Sequence, residues 1–411
     1  MKSLLKMLLI AGLLGLMGAG LTLAQESESE SAREGKRDEK KSRAWYRIKG
    51  VEWKGLAGVG YDTNVYESPS GSYVDYGRAS TPTENPQIQS GLFIPLALEI
   101  NYTKSLTDTN NLLLGGDYSG EFHLEAAQQN ADEYGSEIKI GDRQVFQENK
   151  SLEHSVYAGI NKGKNRKLFL DHDSGVSKTG AVKYTYQFTE YEVNYLNEMF
   201  SLVRYRLGLS KESRDYETPQ TGDEYDVNID TLFADLDFHF IEDLKLQLGY
   251  KTKNYAYETR RSRDLTGALV AGQPVNYDYS YLNFGFDYNF SESFTLFMDI
   301  KQITRKDNHV GYADYTMLQK KVRGLWKLSQ KIRFRVSVTL WDRSYPNAFA
   351  FDNNTQEAKA YDGKKLSLQT TYRLSKNRHW DFEFFYKEQN STDLRYDYDK
   401  IILTATMTWN Y

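Results

Sequence analysis

The 411-residue chain contains no cysteine, so disulfide bonds and thiolate metal ligands are not available to hold it together. Proline is scarce, at seven residues, and its scarcity suits a sheet because proline cannot donate to the backbone ladder. Beyond the amino terminus there is no long apolar run. The best candidate, residues 91–98, is far too short for a membrane-spanning helix and contains Pro95. These absences argue against helical membrane spans and favour a chain that is mostly sheet.

Aromatic residues are abundant instead, with 32 tyrosines and 20 phenylalanines. The mean hydropathy of −0.66 is that of a soluble protein. A membrane barrel hides its apolar band from such an average, because apolar and polar side chains alternate along each strand. Composition therefore fits both a soluble β-sandwich and a membrane barrel.

The amino terminus has the features of a secretory signal peptide. Lys2 and Lys6 form a short basic region, and residues 7–24 carry no charge and end in small residues. A single membrane anchor is the alternative, because this stretch could just span a bilayer. Its glycines and abrupt polar exit favour cleavage, so we predict a signal peptide over residues 1–24.

Residues 25–44 consist almost entirely of polar and charged residues, and no apolar face can be drawn through them. We predict a disordered, charged periplasmic leader there. From residue 45 onward the pattern changes, because long segments alternate between apolar and polar residues. The remaining domain, residues 45–411, is therefore the one expected to fold.

The alternation is clearest at the carboxyl end. Leu403, Ala405, Met407, Trp409 and Tyr411 share one face, and the residues between them are polar. Successive side chains of a strand point to opposite faces, so this strand is apolar on one side only. A final amphipathic strand with a terminal aromatic is typical of outer-membrane barrels. Similar alternation occurs at residues 232–240, 282–290, 332–340, 366–374 and 380–386.

Tight turns and long polar loops alternate along the chain, as periplasmic turns and external loops do in outer-membrane barrels. The tight turns are predicted near residues 107–111, 147–151, 197–199, 241–243, 291–293, 329–331 and 376–378. The longest loops are predicted at residues 63–89, 163–178, 212–222, 259–275 and 344–359. Two strands for each tight turn, with the first and last strands added, give about sixteen.

We therefore predict a transmembrane antiparallel β-barrel of about sixteen strands in the outer membrane of a Gram-negative bacterium. A soluble sandwich would need a second layer to cover each apolar face. Strands of about ten to fifteen residues, against a mean of five to six, argue against that alternative. The expected partners are outer-membrane lipid and the barrel-assembly machinery, which would act through the C-terminal strand. No nucleic-acid partner is expected.

Residues 58–66 read Gly-Val-Gly-Tyr-Asp-Thr-Asn-Val-Tyr and connect the first strand to the first loop. The run resembles the Gly-Tyr-Asp-x-Asn-Val-[Phe/Tyr] opening of a family of outer-membrane β-barrel porins often found beside exopolysaccharide export genes. The resemblance covers this run and the order of leader, barrel and aromatic end. It implies a pore or an export channel and names no solute.

If the apolar faces meet lipid, the opposite faces line the interior, and their charges can bias what permeates. The alternative is that these charges pair between neighbouring strands and only stabilise a water-filled interior. The basic pore-lining candidates are Lys321, Arg323, Lys327, Arg333, Arg335, Lys365 and Arg373. The acidic candidates are Asp235, Asp237, Asp287 and Asp299, with Glu99, Asp117 and Glu121 on earlier strands.

Five aromatic residues are also predicted to face the interior, where they either stack against sugars or fill space: Tyr157, Phe233, Tyr281, Phe297 and Trp341.

We predict no catalytic, cofactor or metal site. His172 and Ser174 have the His-x-Ser spacing of outer-membrane phospholipases, but they lie in a polar loop without the strand alternation that would aim both at lipid. No phosphate-binding or dinucleotide-binding motif occurs. Asp393, Asp397 and Asp399 lack the further oxygen ligands that a calcium loop needs, so we predict a solvated loop end.

The predicted function is a water-filled channel for passive or selective passage of small polar solutes or saccharides, because barrels of this size usually leave an aqueous path. The alternatives are a structural or surface-binding barrel with a plugged lumen, or an export pore for an exopolysaccharide. The sequence leaves the solute, the direction of transport and the oligomeric state open.

Overall fold

The computed structural model describes residues 50–74, 83–86, 88–125, 128, 131–149, 152–168, 183–199, 202–217, 225–241, 243–350 and 357–411. The predicted signal peptide and leader lie outside these residues, as do His172 and Ser174. Within them, no helix is long and apolar enough to cross a membrane.

The described chain is mostly strand, and a short 3-10 turn lies at Leu394–Tyr396. The strands are β1 (Val51–Asp62), β2 (Tyr73–Val74), β3 (Thr83–Glu84), β4 (Gly91–Ser105), β5 (Asn110–His123), β6 (Glu133–Asn149), β7 (Leu152–Leu168), β8 (Lys183–Met199), β9 (Val203–Tyr216), β10 (Val227–Ile241), β11 (Leu244–Arg263), β12 (Leu269–Ser291), β13 (Phe294–Asp307), β14 (Tyr315–Lys327), β15 (Ile332–Phe349), β16 (Ala358–Ser375), β17 (Arg378–Ser391) and β18 (Tyr398–Asn410).

Sixteen of these strands form one closed antiparallel barrel, which confirms the predicted fold class and strand number. From β4 to β18 each strand neighbours the next in sequence, and β1 closes the ring between β18 and β4. At the closure, Leu56 lies opposite Thr408 and Gly60 opposite Thr404. Closure leaves no strand edge unpaired in the ring. The short strands β2 and β3 form a separate hairpin in the first loop.

The outer face of the barrel is apolar over part of each strand's length. On β12, Leu282 and Phe284 point outward and keep 55% and 43% of their surface exposed. At the tight-turn end the belt finishes in stacked aromatic rings, with centroids 5.5 Å apart for Phe290 and Phe294 and 4.6 Å for Phe294 and Trp326. An exposed apolar belt rimmed by aromatic rings is the surface that outer-membrane barrels present to lipid.

Several strands run well beyond this belt, so they are longer than the sequence predicts. β11 has 20 residues and β12 has 23, and only residues 264–268 separate them where a loop over 259–275 was expected. Residues here alternate between polar outward positions, such as Asp278, and inward tyrosines, such as Tyr277 and Tyr279. The apolar alternation that predicts a strand from sequence stops at the edge of the belt, whereas backbone pairing between the strands continues past it.

The tight turns lie where the sequence predicts, with one displacement. β8 continues to Met199 and β9 begins at Val203, so residues 197–199 belong to a strand and not to a turn. Residues 197–199 still alternate in register with β9, which explains why pairing persists through them. The predicted turn position was therefore wrong, and the strand order is unchanged.

Candidate functional site: the charged interior of the barrel

Strand register decides which charged side chains share the inner face. In an antiparallel pair, residues directly opposite each other point to the same side of the sheet. Thr339 of β15 is opposite both Lys321 and Lys365, and Asp237 belongs to the same inward set as Asp299. All eleven predicted pore-lining residues follow this register and lie on the face opposite the apolar belt. Their role in a pore stays a prediction.

The seven basic candidates lie on three adjacent strands, β14 to β16, and we call them the basic arc. Arg333, Arg335 and Arg373 line a cavity of about 660 Å³ near the tight turns. Lys331 and Lys376, in the turns themselves, line the same cavity, and the sequence analysis did not single them out. Turn residues lack the alternation that marks an inward strand position.

The basic arc has no carboxylate partners within ion-pair distance, as far as the described residues extend. The Arg335 guanidinium donates to Gln369 Oε1 at 2.8 Å, which is a neutral acceptor. The nearby carboxylate of Asp381 accepts from Gln369 at 3.0 Å and contacts His379 at 3.1 Å. Asp381 is therefore engaged by a neutral amide and a histidine and not by the arginines of the arc, whereas Asp299 of β13 lies directly opposite Lys321.

Two of the four acidic candidates have basic partners that lie outside the basic arc. Asp235 pairs with Arg206 at 2.6 Å, and Asp237 pairs with Lys245 at 2.9 Å. Both basic partners are inward residues that the sequence analysis missed, although their alternation with apolar neighbours could have revealed them. This part of the wall is mixed in charge. Asp235, Asp237 and Asp299 line a cavity of about 380 Å³ together with Arg204 and Arg206.

A stronger concentration of negative charge lies on β4 to β8, which we call the acidic arc. Only the members on β4 and β5 were predicted from the sequence, although on β8 the alternation of Glu190 and Glu192 with exposed Tyr191 and Val193 could have revealed two more. In the ring of sixteen strands, β6 and β14 are eight steps apart in either direction, so the acidic arc faces the basic arc. Its inward acids are Glu99, Asp117, Glu121, Glu133, Glu137, Glu190 and Glu192.

A lysine side chain, Lys139, lies among the carboxylates of the acidic arc. Lys139 Nζ lies 3.4 Å from an Asp117 oxygen and 3.3 Å from a Glu137 oxygen. The pairs are solvated, since the side chains of Lys139 and Asp117 are 45% and 39% exposed. Exposed pairs of this kind contribute little to stability. They do reduce the net negative charge that the arc presents to the interior.

Inward side chains at mid-height are exposed to solvent although the barrel is closed. Besides Lys139 and Asp117, the side chains of Arg206 and Asp235 are 53% and 36% exposed. A packed core would bury groups on this face. The interior at this level is therefore accessible to water.

At the long-loop end the interior is packed. A cluster of buried aromatic side chains, which we call the tyrosine layer, lines the inner face there. Cationic groups are inserted between its rings, with Arg305 4.6 Å from the ring centroid of Tyr315 and 5.9 Å from that of Tyr345. Such contacts stabilise a buried cation. The cluster comprises Tyr312, Tyr315, Met317, Trp341, Tyr345, Ala348, Tyr361 and Tyr396.

The predicted lumenal aromatics face inward, but cations cover four of them. A sugar ring stacks on an open aromatic face, and that face is occupied at these four positions. Space-filling and cation–π contact therefore describe them better than sugar stacking. The cation-to-centroid distances are 4.9 Å for Arg206 and Phe233, 5.0 Å for Lys301 and Tyr281, 4.0 Å for Arg323 and Phe297, and 5.4 Å for Lys365 and Trp341.

The aspartates after β17 differ from the prediction of a solvated loop end. Asp393 is fully buried and forms an ion pair with Arg395 at 2.6 Å, so its carboxylate supports the turn from inside. Asp399 remains exposed. Over the parts of the chain that the structure describes, no group of three or more His, Cys, Asp or Glu residues is placed to hold a metal ion.

A closed sixteen-strand antiparallel barrel with an apolar outer belt, aromatic rims and a charged interior defines the class of this protein. It is an outer-membrane β-barrel of porin-like architecture.

No family model matches the chain, and no curated protein matches it in sequence. Among solved structures, it is similar to an anion-selective porin from Comamonas acidovorans, at 11% identity and a TM-score of 0.44, over 88% of this chain and 99% of that one. Similarity to OccAB4 of Acinetobacter baumannii has 9% identity and a TM-score of 0.47, over 89% and 99%. For OmpF of Salmonella typhi, in complex with daunomycin, the values are 10% and 0.47, over 88% and 97%. At these values nothing about solute or selectivity follows from the likeness.

Proposed function

We propose that this barrel is a water-filled channel that passes small polar solutes through the outer membrane and favours anionic ones. The observation that carries the proposal is the solvent exposure of inward charged side chains at mid-height, such as Arg206 at 53% and Lys139 at 45%. Charged groups keep this exposure when water surrounds them, and a sixteen-strand ring is wide enough to hold an aqueous path.

The preference for anions follows from the pairing of the charges. The basic arc has no carboxylate partner among the described residues, whereas Asp235, Asp237 and Asp117 each have a basic partner. Fields from neighbouring arginines overlap when they lie within a Debye length, about 8 Å at physiological salt. Strands about 5 Å apart allow such overlap on β14 to β16. Acidic saccharides fit this lining better than neutral ones, because cations cover four of the inward aromatic rings.

A structural or surface-binding barrel with a plugged lumen is the second candidate. It is favoured by the tyrosine layer, in which Tyr345 and Tyr396 are only 2% and 1% exposed. Conductance separates the two candidates, because a plugged barrel passes no steady current.

The test is single-channel conductance and reversal potential in a planar bilayer under a KCl gradient. Replacing Arg333→Gln and Arg335→Gln together should shift the reversal potential toward cations. A unit charge about 4 Å from a passing ion contributes on the order of 1 kcal/mol in water, so the permeability ratio should change roughly fivefold. Lys211→Gln is the matched control, because Lys211 is an outward lysine with its side chain 67% exposed.

Absence of conductance from correctly folded wild-type barrel would contradict the channel. Conductance with the same reversal potential in the wild type and the double variant would contradict the anion preference alone.

A further inference from the structure

Three inward lysines lie in a row at one level of the wall. Lys365 of β16 is directly opposite Lys387 of β17, and Lys387 is directly opposite Lys400 of β18. We call these residues the lysine row. Like charges directly opposite each other on neighbouring strands destabilise a sheet, so the row requires compensation. The sequence analysis predicted only Lys365 as pore-lining.

The first loop, residues 63–72, supplies that compensation from the far end of the chain. Glu67 Oε1 lies 3.0 Å from Lys387 Nζ and 3.5 Å from Lys400 Nζ. Asp62, at the end of β1, places Oδ2 at 3.0 Å from Lys400 Nζ. The four side chains are between 8% and 15% exposed, so salt screens these contacts less than it screens surface pairs.

The motif at residues 58–66 holds this loop in position. The Asn64 amide donates to Ser68 O at 2.9 Å and to Asp399 O at 3.2 Å, and its Oδ1 accepts from Ser68 N at 2.8 Å. Asn64 N donates to Asp62 Oδ1 at 2.8 Å. The side chain of Asn64 therefore ties the loop both to itself and to β18. The motif has a structural role that the resemblance did not specify.

The backbone of Glu67 adopts a conformation that L residues rarely use. Its φ is 50°, and it is the only described non-glycine residue with a positive φ. Such a conformation costs free energy and persists only where the surroundings hold it. The hydrogen bonds of Asn64 and the two lysines supply that constraint. Strained residues of this kind occur preferentially at functional positions.

Glu67 remains charged in this place. Burial raises the pKa of its carboxyl, but Lys387 and Lys400 outweigh burial and lower the pKa to about 2. Tyr398 of β18 also faces the carboxylate, and Asp62 lies across Lys400 from it. The carboxylate is thus fixed as an anion on the lumen wall throughout ordinary pH.

We propose that Lys387 and Lys400 form a carboxylate-binding site on the lumen wall, that Glu67 is its tethered occupant, and that this occupancy sets the charge selectivity of the channel. The inference rests on the proposed channel function. With Glu67 in place, the basic arc ends at Lys365. With the site empty, Lys387 extends the arc to β17 and, beside the Lys400–Asp62 pair, presents a place where the carboxylate of an anionic solute can bind.

The central experiment compares Glu67→Gln with the wild type by reversal potential in planar bilayers. Glu67→Gln removes one negative charge beside the path and frees Lys387, while Lys400 keeps its pair with Asp62, so the anion-to-cation permeability ratio should rise roughly threefold. Asp230→Asn is the matched control, because Asp230 is an outward aspartate with its side chain 64% exposed. Heat-modifiable migration on a gel checks that each variant is folded.

Acetate serves as the probe of the emptied site. Added acetate should lower the chloride conductance of Glu67→Gln at concentrations that leave the wild type unchanged, because acetate can displace the neutral amide, which forms no ion pair with Lys387. The double variant Glu67→Gln/Lys387→Gln should lose this sensitivity and return toward the wild-type ratio. A purely structural role for Glu67 would produce neither the acetate effect nor its loss in the double variant.

The outcomes are distinguishable. If the folded wild-type barrel shows no conductance, both the proposed channel function and this inference are contradicted. A conducting wild type, with Glu67→Gln equal to Asp230→Asn in ratio and in acetate response, overturns this inference and leaves the channel intact.

Discussion

The basic and acidic arcs face each other across the barrel, and they differ in how their charges are compensated. In the acidic arc, Lys139 lies between Asp117 and Glu137 within the sheet itself. The basic arc has no such internal acid within ion-pair distance, among the residues described. Beyond it, on β17 and β18, a loop delivers the carboxylate of Glu67 to Lys387. This comparison indicates that the electric field in the barrel interior depends more on how the charged side chains are paired than on how many of them line the wall.

The largest effect is expected from opening the ring that brings the two arcs face to face. Trp53 and Tyr411 exchange two backbone hydrogen bonds of 2.9 Å, and their rings stack 4.6 Å apart. Deleting residues 409–411 should abolish outer-membrane insertion, because β1 and β18 then lose their aromatic end and an edge is exposed. Cell fractionation measures this, with Tyr372→Ala, an outward aromatic away from the closure, as the control. Normal membrane levels of the truncated chain would contradict it.

A smaller effect is expected from neutralising the acidic arc. Asp117→Asn and Glu137→Gln together should shift the reversal potential toward anions by roughly twofold in permeability ratio, less than the arginine pair shifts it toward cations. The reason is that Lys139 already compensates both acids. The two double variants should be measured in the same KCl gradient. Equal and opposite shifts would show that pairing does not weaken the acidic arc.

Removing Lys139, the cation within the acidic arc, tests the same difference in charge compensation between the two arcs. Lys139→Gln should move selectivity toward cations by less than about twofold, because it uncovers two solvated carboxylates whose fields water screens. Lys211→Gln is again the outward control. Reversal potentials at low and high salt test the size of the shift and its explanation by screening, because a screened field should produce a smaller shift as the salt concentration rises. A shift toward anions would contradict the role of Lys139 as the cation that compensates Asp117 and Glu137.

The smallest effect concerns pH. Glu67 has its pKa lowered from 4.5 to about 2, so its pairing stabilises the fold fully above the ordinary value and is lost as pH falls toward about 2. The difference in reversal potential between wild type and Glu67→Gln should therefore persist at pH 4 and fade only in stronger acid. Bilayer recordings of both proteins across this range measure it. A difference that vanishes near pH 4.5 would mean that the lysines do not hold the carboxylate.

Much of the barrel could be predicted from alternation, because one apolar face per strand is a local property of the sequence. The tight turns and strand number followed from the same pattern. Prediction failed where the pattern lost its apolar half. The extended ends of β11 and β12 alternate between polar residues and tyrosines. Pairing there is maintained by backbone hydrogen bonds, which leave no mark on hydropathy.

The candidate site was predicted only in part for the same reason. Alternation along each strand assigned Arg333, Arg335 and Lys365 to one face, and the strand register puts them on the same face as Thr339. It could not reveal that Arg206 and Lys245 neutralise Asp235 and Asp237, because a pairing distance depends on rotamers and on the neighbouring strand.

The sequence by itself determined that this chain forms an outer-membrane barrel and which side chains turn inward, because strand periodicity assigns a face to each residue. Only the tertiary structure decided which inward charges meet. Glu67 and Lys387 are 320 positions apart in the chain, and they come together because closing the ring places β1 beside β18. Coulomb energy depends on distance in space, and closure sets that distance.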